Sequence, residues 1–323
     1  MSDAPLDLAF VMDPLESIDI RGDTTFALML EAQGRGHRIW FVSPDSLGVR
    51  DGEPVASAIP VEVQRQEGAH FEAGEPRTLS LETQVDAVLQ RVDPPVDAAY
   101  VTATQILTLC RRSLVVNRPE AILSFNEKLF ALLFPDLMAP TRVTASIPEL
   151  RDFLEEQGGE MIVKPLDGCG GAGIFHLSGE DRNLATALEQ STRGGSQPVM
   201  AQRYLPEIRE GDKRILLLEG RPIGAVLRVP PKGETRANFH AGGVAQPTKL
   251  DVADRRIVER LAPKLRAEGL FFVGIDVIGG FLTEINVTSP TGVLEIDALE
   301  SRCLEAEILD ALETRLQAHR AES

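Results

Sequence analysis

The chain has 323 residues, enough for about two or three packed lobes around one site, and its 43% hydrophobic and 25% charged content is ordinary for a globular enzyme. Its 33 Lys and Arg against 49 Asp and Glu give a net charge of −16, which argues against nucleic acid or an anionic membrane as the main partner but not against a phosphate held in a local basic cleft. Cys110, Cys169 and Cys303 have no disulfide or metal spacing, and no apolar run suits a membrane span or secretory signal, so a cytoplasmic location is expected.

Residues 6–12 read as a buried strand, residues 24–35 as a helix carrying Phe26, Leu28, Met29 and Leu30, and residues 37–42 as a second strand. This is the β-loop-α-β opening of an α/β fold. Residues 48–74 read as irregular and rich in turn residues, with strand-like pieces such as 61–63. A strand over 87–92 runs into Asp93-Pro94-Pro95, followed by a helix over 102–112 and a short strand over 114–116. The character shifts near residue 120, where Ser124 or Asn126 can cap a helix through Glu127, Lys128, Leu129 and Phe130. Strands are expected over 160–164 and 199–204, and a hairpin over 214–218 and 223–229. A helix over 254–268, a hairpin over 271–287 and a helix over 296–319 complete the chain. Residues 228–243 are rich in Pro and Gly, lack apolar periodicity and are numerous enough for a lid.

Gly168, Gly170 and Gly173 fit G-x-G-x-x-G. A dinucleotide fold wants that pattern after the first strand of a βαβ unit, whereas here it sits mid-chain after a strand ending in Lys164. The position suits a loop whose backbone N–H groups approach a nucleotide triphosphate, with the lysine touching the same phosphates. A surface turn is the alternative, with Cys169 as a small filler residue. The absence of GxxxxGK[ST] excludes a P-loop fold.

Asp276, Glu284 and Asn286 lie in the hairpin FFVGIDVIGGFLTEINV. Glu284 and Asn286 are two apart on one strand and share a face, and their oxygens suit Mg²⁺. With a plain two-residue Gly279-Gly280 turn, Asp276 would oppose Thr283 and face away from Glu284. Convergence of the three requires an odd-length connection or a bulge.

The segments VMDP, GDTTFALMLEAQGRGH, RVDPP, VNRPE, NEKLF, VKPLDGCGG, GDKR, KGETR, FVGIDVIG and TEINVTSPTG occur in the order found in bacterial glutathione synthetases, which the chain resembles from Val11 to Gly292. The resemblance implies an α/β ATP-grasp fold. A domain over 1–122 would precede an ATP-grasp domain over 123–323, whose two subdomains sandwich ATP beneath a lid over 228–243. It implies that Lys128, Lys164 and the loop residues Asp167, Gly168, Gly170 and Gly171 contact phosphates. Gln202 and Leu205 would line the adenine pocket, with Asp212 beside the nucleotide. Asp276, Glu284 and Asn286 would hold Mg²⁺, two ions in all. Arg214 and Arg236 would be catalytic, and Asp19, Arg91, Arg228, Asn286 and Ser289 would face the acid substrate.

The implied reaction joins γ-glutamylcysteine to glycine through an acyl phosphate, releasing ADP and phosphate, with a homotetramer as the implied assembly. Asp19, Val92, Ala237, Phe239, His240 and Leu294 depart from the family's usual residues. They leave room for a different peptide-like acid or amine.

Overall fold

The computed structural model describes residues 4–168, 170–233, 236–239 and 242–322. The expectation for Cys169 and parts of the 228–243 stretch, His240 included, lie outside the described residues.

A seven-stranded sheet forms the N-terminal part. It contains β1 (Asp7–Val11), β2 (Arg38–Arg50), β3 (Glu53–Val63), β4 (Phe71–Ala73), β5 (Arg77–Ser80), β6 (Ala87–Gln90) and β7 (Leu114–Val116). Their order is β4-β3-β2-β1-β6-β7, with β5 also on β3. The central strands β2, β1, β6 and β7 run parallel. Such strands are covered on both faces, which is why DLAFV is apolar after its first residue. Helices α1 (Thr24–Gly34), α2 (Ala98–Leu107) and α3 (Pro119–Ser124) belong to this part. Asp23 starts α1 by accepting from Phe26 N at 2.6 Å.

The second sheet has the order β10-β9-β11-β8, from β8 (Thr141–Thr144), β9 (Glu160–Pro165), β10 (Phe175–Ser178) and β11 (Val199–Arg203). Helices α4 (Ile147–Glu156) and α5 (Leu184–Ser191) cover one of its faces through Leu150, Phe153, Leu154 and Leu188.

The third sheet has the order β14-β13-β12-β15-β16. Its strands are β12 (Asp212–Leu218), β13 (Arg221–Val229), β14 (Val244–Pro247), β15 (Phe272–Ile278) and β16 (Phe281–Asn286). Period-two alternation splits β12 between two cores. Ile215 and Leu217 pack with Ile257, Leu261 and Leu265 of α6 (Val252–Ala267). Leu216 and Leu218 join a core shared with Leu8, Phe10, α7 (Val293–Glu300) and α8 (Leu304–Glu322). The third sheet is therefore fixed directly to the N-terminal part.

Several sequence expectations need correction. Residues 48–74 are not irregular: β2 and β3 form a long hairpin whose turn, Asp51 and Gly52, has φ of 52° and 87°. The helix expected over 102–112 starts earlier, where Asp97 accepts from Tyr100 N at 2.9 Å, and it ends at Leu107. The strand expected to reach residue 92 ends at Gln90. Asn126 does accept from Lys128 N and Leu129 N, both at 3.0 Å, but the segment continues only as a short 3₁₀ turn, Phe130–Leu133. The C-terminal helix is two helices, broken where Ser301 takes φ 54°.

Candidate active site

The second and third sheets flank a cleft of about 500 Å³, reached on one side by Asp93 and Pro94 of the N-terminal part. At the glycine-loop end β9 delivers Lys164, buried to 8% exposure. Burial lowers this lysine's pKa, while nearby Glu284 opposes the shift. Lys128 lies beside it, with Nζ 3.1 Å from Glu284 Oε1 and donating to Gly168 O at 2.6 Å. Asn126 Nδ2 donates to Leu166 O at 2.8 Å, so one asparagine ties the Lys128 turn to the glycine loop. A Cβ at Gly168 would sit 2.7 Å from Pro165 Cγ, so the loop's fold needs glycine there. Gly170 and Gly171 have φ of 59° and 78°.

The register of the third sheet builds the centre of the site. Asp212 stands opposite Arg228, Arg214 opposite Asp276, and Asp276 opposite Glu284. The last pairing arises through the bulge, the second of the two routes the sequence allows. The turn is the two-residue one, with Ile278 opposite Phe281, but a bulge after Val277–Leu282 inserts Thr283 and returns Asp276 to Glu284.

Arg214 grips Asp276 twice, Nε to Oδ1 at 2.5 Å and Nη2 to Oδ2 at 3.0 Å. Its Nη1 donates to Thr291 O at 3.1 Å. Arg228 Nη2 bridges Asp212 Oδ2 and Asp276 Oδ1, the latter at 3.0 Å. Asn286 Nδ2 adds a 3.2 Å bond to Asp276 Oδ2. Burial alone would raise the pKa of Asp276, but Arg214 and Arg228 outweigh it and hold the carboxyl well below its usual range. Burial pushes Asp212 up to about 6 against the pull of Arg228. Its Oδ1 is buried without a hydrogen-bond partner among the described residues.

Among the described residues no three His, Cys, Asp or Glu side chains gather into a metal cage. Asp276, Glu284 and Asn286 instead offer two carboxylates and an amide, and all three line the cleft. That oxygen set fits Mg²⁺, which keeps waters and takes phosphate oxygens alongside one or two carboxylates.

Glu127, which the sequence marks only as a helix residue beside Lys128, also lines the cleft. Its Oε1 accepts from Val287 N at 2.8 Å, Thr288 N at 3.1 Å and Thr288 Oγ1 at 2.9 Å, and its own carbonyl accepts from Ile285 N at 3.0 Å. It thus fixes the end of β16 and the start of the Thr288–Thr291 loop. Burial, with Glu284 adding to it, raises the pKa of Glu127. The available signal is an acidic residue directly before Lys128.

At the other end, Gln202 and Leu205 line the cleft. Gln202 Nε2 donates to Thr141 Oγ1 at 3.1 Å. Tyr204 between them stacks on His176 at 3.9 Å and packs with Ile208 and Ala237. Ser289, Arg236, Ala237 and Phe239 also line the cleft.

Three expected residues do not. Asp19 is exposed and paired bidentately with Arg21 at 2.8 and 3.0 Å. Asp167 is exposed, and its Oδ2 accepts from Gln197 Nε2 at 3.5 Å. Arg91 is buried behind the wall, donating to Thr25 Oγ1 at 3.1 Å and Pro290 O at 2.9 Å. Its bond to the Pro290 carbonyl ties it to the Ser289–Thr291 loop of the site. Among the substituted positions, Val92 is buried and, like Leu294, does not line the cleft.

Residues 6–122 match the family described as prokaryotic glutathione synthetase, N-terminal domain, and residues 127–301 match prokaryotic glutathione synthetase, ATP-grasp domain. The glutathione synthetase of Brucella melitensis is 45% identical over 311 residues, covering 96% of this chain and 99% of its own. That of Parasynechococcus marenigrum is 47% identical over 305 residues, covering 94% and 97%. Among solved structures, D-cycloserine synthetase superposes with a TM-score of 0.67 at 16% identity, covering 96% of this chain and 99% of its own. An ATP-grasp ligase complexed with a precursor variant, Mg and ADP gives 0.61 at 17% identity, covering 97% and 98%. At those identities the likeness shows the fold alone. The two matched regions follow one another along the chain and the near-full-length relatives agree with them: this chain belongs to the prokaryotic glutathione synthetase family of ATP-grasp ligases.

Proposed function

We propose that the chain joins γ-glutamylcysteine to glycine with ATP as co-substrate, through an acyl phosphate. The observation that carries this reading is the juxtaposition, in one cleft, of two lysines at a glycine loop with the Arg214–Asp276–Arg228–Asp212 ladder. One end suits a triphosphate and the other a carboxylate under activation.

A carboxylate resists attack by an amine because oxide is a poor leaving group. In the proposed sequence, a carboxylate oxygen of the dipeptide attacks the γ-phosphorus, the bond to the β–γ bridging oxygen breaks, and ADP leaves. Lys128 and Lys164 offset charge on the phosphates during this transfer. Asp276, Glu284 and Asn286 would hold Mg²⁺, whose charge neutralises the transferring phosphoryl group when bound. The glycine nitrogen then attacks the acyl carbon, and Arg214 and Arg236 supply positive charge for the tetrahedral oxyanion. Phosphate departs as the amide forms. Glu127 keeps Asn286 and Ser289 facing the reacting carboxylate through its bonds to Val287 and Thr288. Residues 236–239 cover the cleft and exclude water that would hydrolyse the acyl phosphate.

The same reading takes two Mg²⁺ ions, residues 1–122 and 123–323 as the two domains, residues 228–243 as the lid, and a homotetramer working in the cytoplasm. ATP-grasp ligases use ATP with Mg²⁺ in general, which supports the metal assignment. The test is ADP release on addition of the dipeptide, glycine or both. Release that needs both substrates agrees with the reading; release with neither needed, or none at all, does not.

A further inference from the structure

Phe239 is held in the cleft from several directions. Its ring lies over the Arg228 guanidinium, 6.0 Å from centroid to Cζ. The side chain also packs against the core cluster that includes Val226, Val293 and Ile296. Its carbonyl accepts from Gly242 N at 3.0 Å, and the neighbouring Asn238 carbonyl accepts from Gly243 N at 3.1 Å. That return is tight: a Cβ at Gly243 would lie 1.8 Å from Ala237 O. Two residues earlier, Ala237 is buried with Tyr204 and Ile208. The ring is therefore part of the cleft wall.

The cleft has three functional walls. The nucleotide takes the wall of Lys128, Lys164, Gln202 and Leu205. The Ser289–Thr291 loop, with Asp93 and Pro94, offers polar groups along a second wall suited to a dipeptide. The attacking amine is left the third, residues 236–239, next to Arg228 and the reacting carboxylate. We propose that Phe239 sets the size of the amine pocket, admitting an amine with no substituent on the carbon beside the nitrogen and excluding one with a methyl group there. The inference rests on the ligase reading above and adds its specificity determinant. The aromatic ring fills the space that a substituent on the amine would need, and Arg228, pinned by two carboxylates, cannot retreat to enlarge it.

The test compares kcat/KM for glycine and L-alanine with γ-glutamylcysteine and ATP, in wild type and in Phe239→Ala. The alanine-to-glycine ratio is expected to rise by about tenfold or more in the variant, the usual worth of one methyl group in a closed pocket. An unchanged ratio in a variant with wild-type circular dichroism overturns the pocket assignment while leaving the ligase reading intact. If wild type turns over with neither amine, the ligase reading and the pocket assignment fall together. Should Phe239→Ala fail to fold, Phe239→Val is compared in the same way, with a smaller rise expected and an unchanged ratio again decisive against the proposal.

Discussion

Asp276 stands directly opposite Glu284 across the β15–β16 hairpin, because Thr283 is bulged out of the register that the Gly279-Gly280 turn sets. Thr283 is held there by its Oγ1, which donates to Asp276 O at 3.1 Å. The pairing brings into one cross-strand line the carboxylate gripped by Arg214 and Arg228 and the carboxylate paired with Lys128.

Glu284→Gln is expected to fold normally and to lose roughly 100-fold or more in ADP release at saturating Mg²⁺. Metal charge at a transferring phosphoryl group is worth several kcal/mol, and about 1.4 kcal/mol is a factor of ten. Removing the charge also unpairs Lys128. Release within a few-fold of wild type would remove Glu284 from the metal site.

Arg91→Ala is expected to act through Pro290. Losing a buried, charge-assisted bond to a carbonyl costs on the order of 2 kcal/mol, so the urea midpoint should fall. The freed Ser289–Thr291 loop should raise KM for the dipeptide more than KM for ATP. Asp19→Asn, at an exposed carboxylate paired with Arg21 outside the cleft, should leave both constants within about twofold. A large gain in dipeptide use from Asp19→Asn would place that loop at the substrate after all.

Trypsin is expected to cut after Lys232, an exposed residue, in the ligand-free enzyme, and ATP with dipeptide should suppress the cut. Arg236 should be cut more slowly, because its side chain packs 3.1 Å from where a Gly171 Cβ would be. Equal cutting with and without ligands would argue against closure of this segment over the substrates.

The α7–α8 junction should make stability pH-dependent. Burial, with a contribution from neighbouring Glu305, pushes Asp297 up to about 7, and Asp297 Oδ1 accepts from Leu304 N at 2.9 Å to start α8. A carboxyl with a raised folded pKa binds more protons folded than unfolded between about 4 and about 7. Its contribution is therefore greatest at the acid end of that window and is lost as pH rises through about 7. Glu305→Gln should stabilise the protein at pH 8 and flatten the slope of urea stability over that window. Because the group is partly exposed, the gain is on the order of 1 kcal/mol or less. A slope unchanged by the substitution would show that Glu305 does not contribute to the raised pKa of Asp297.

The parts of the fold that were legible in the sequence share one property: their apolar pattern is decided locally. DLAFV, the Glu160–Pro165 strand and the hairpin around Gly279-Gly280 announce themselves by period and turn residues. The β2–β3 hairpin does not, because Pro54 and Pro60 disfavour a strand and mask the Asp51-Gly52 turn. Glu284 and Asn286 were legible as a same-face pair. The bond partners of Asp212 and Arg228 were not, since they meet only through the register of β12 against β13. Arg91 illustrates the opposite failure. The resemblance implies a substrate contact for Arg91, but its bonds go to Thr25 and Pro290, which no local pattern signals.

The most direct test of the account follows an oxygen atom. γ-Glutamylcysteine labelled with ¹⁸O in its cysteinyl carboxylate is incubated with enzyme, ATP, Mg²⁺ and glycine, and the released phosphate is analysed by mass spectrometry. An acyl phosphate requires one labelled oxygen to pass from the carboxylate to each phosphate formed, with ADP and the tripeptide produced in equal amounts. Phosphate carrying no label while the tripeptide accumulates would contradict the account.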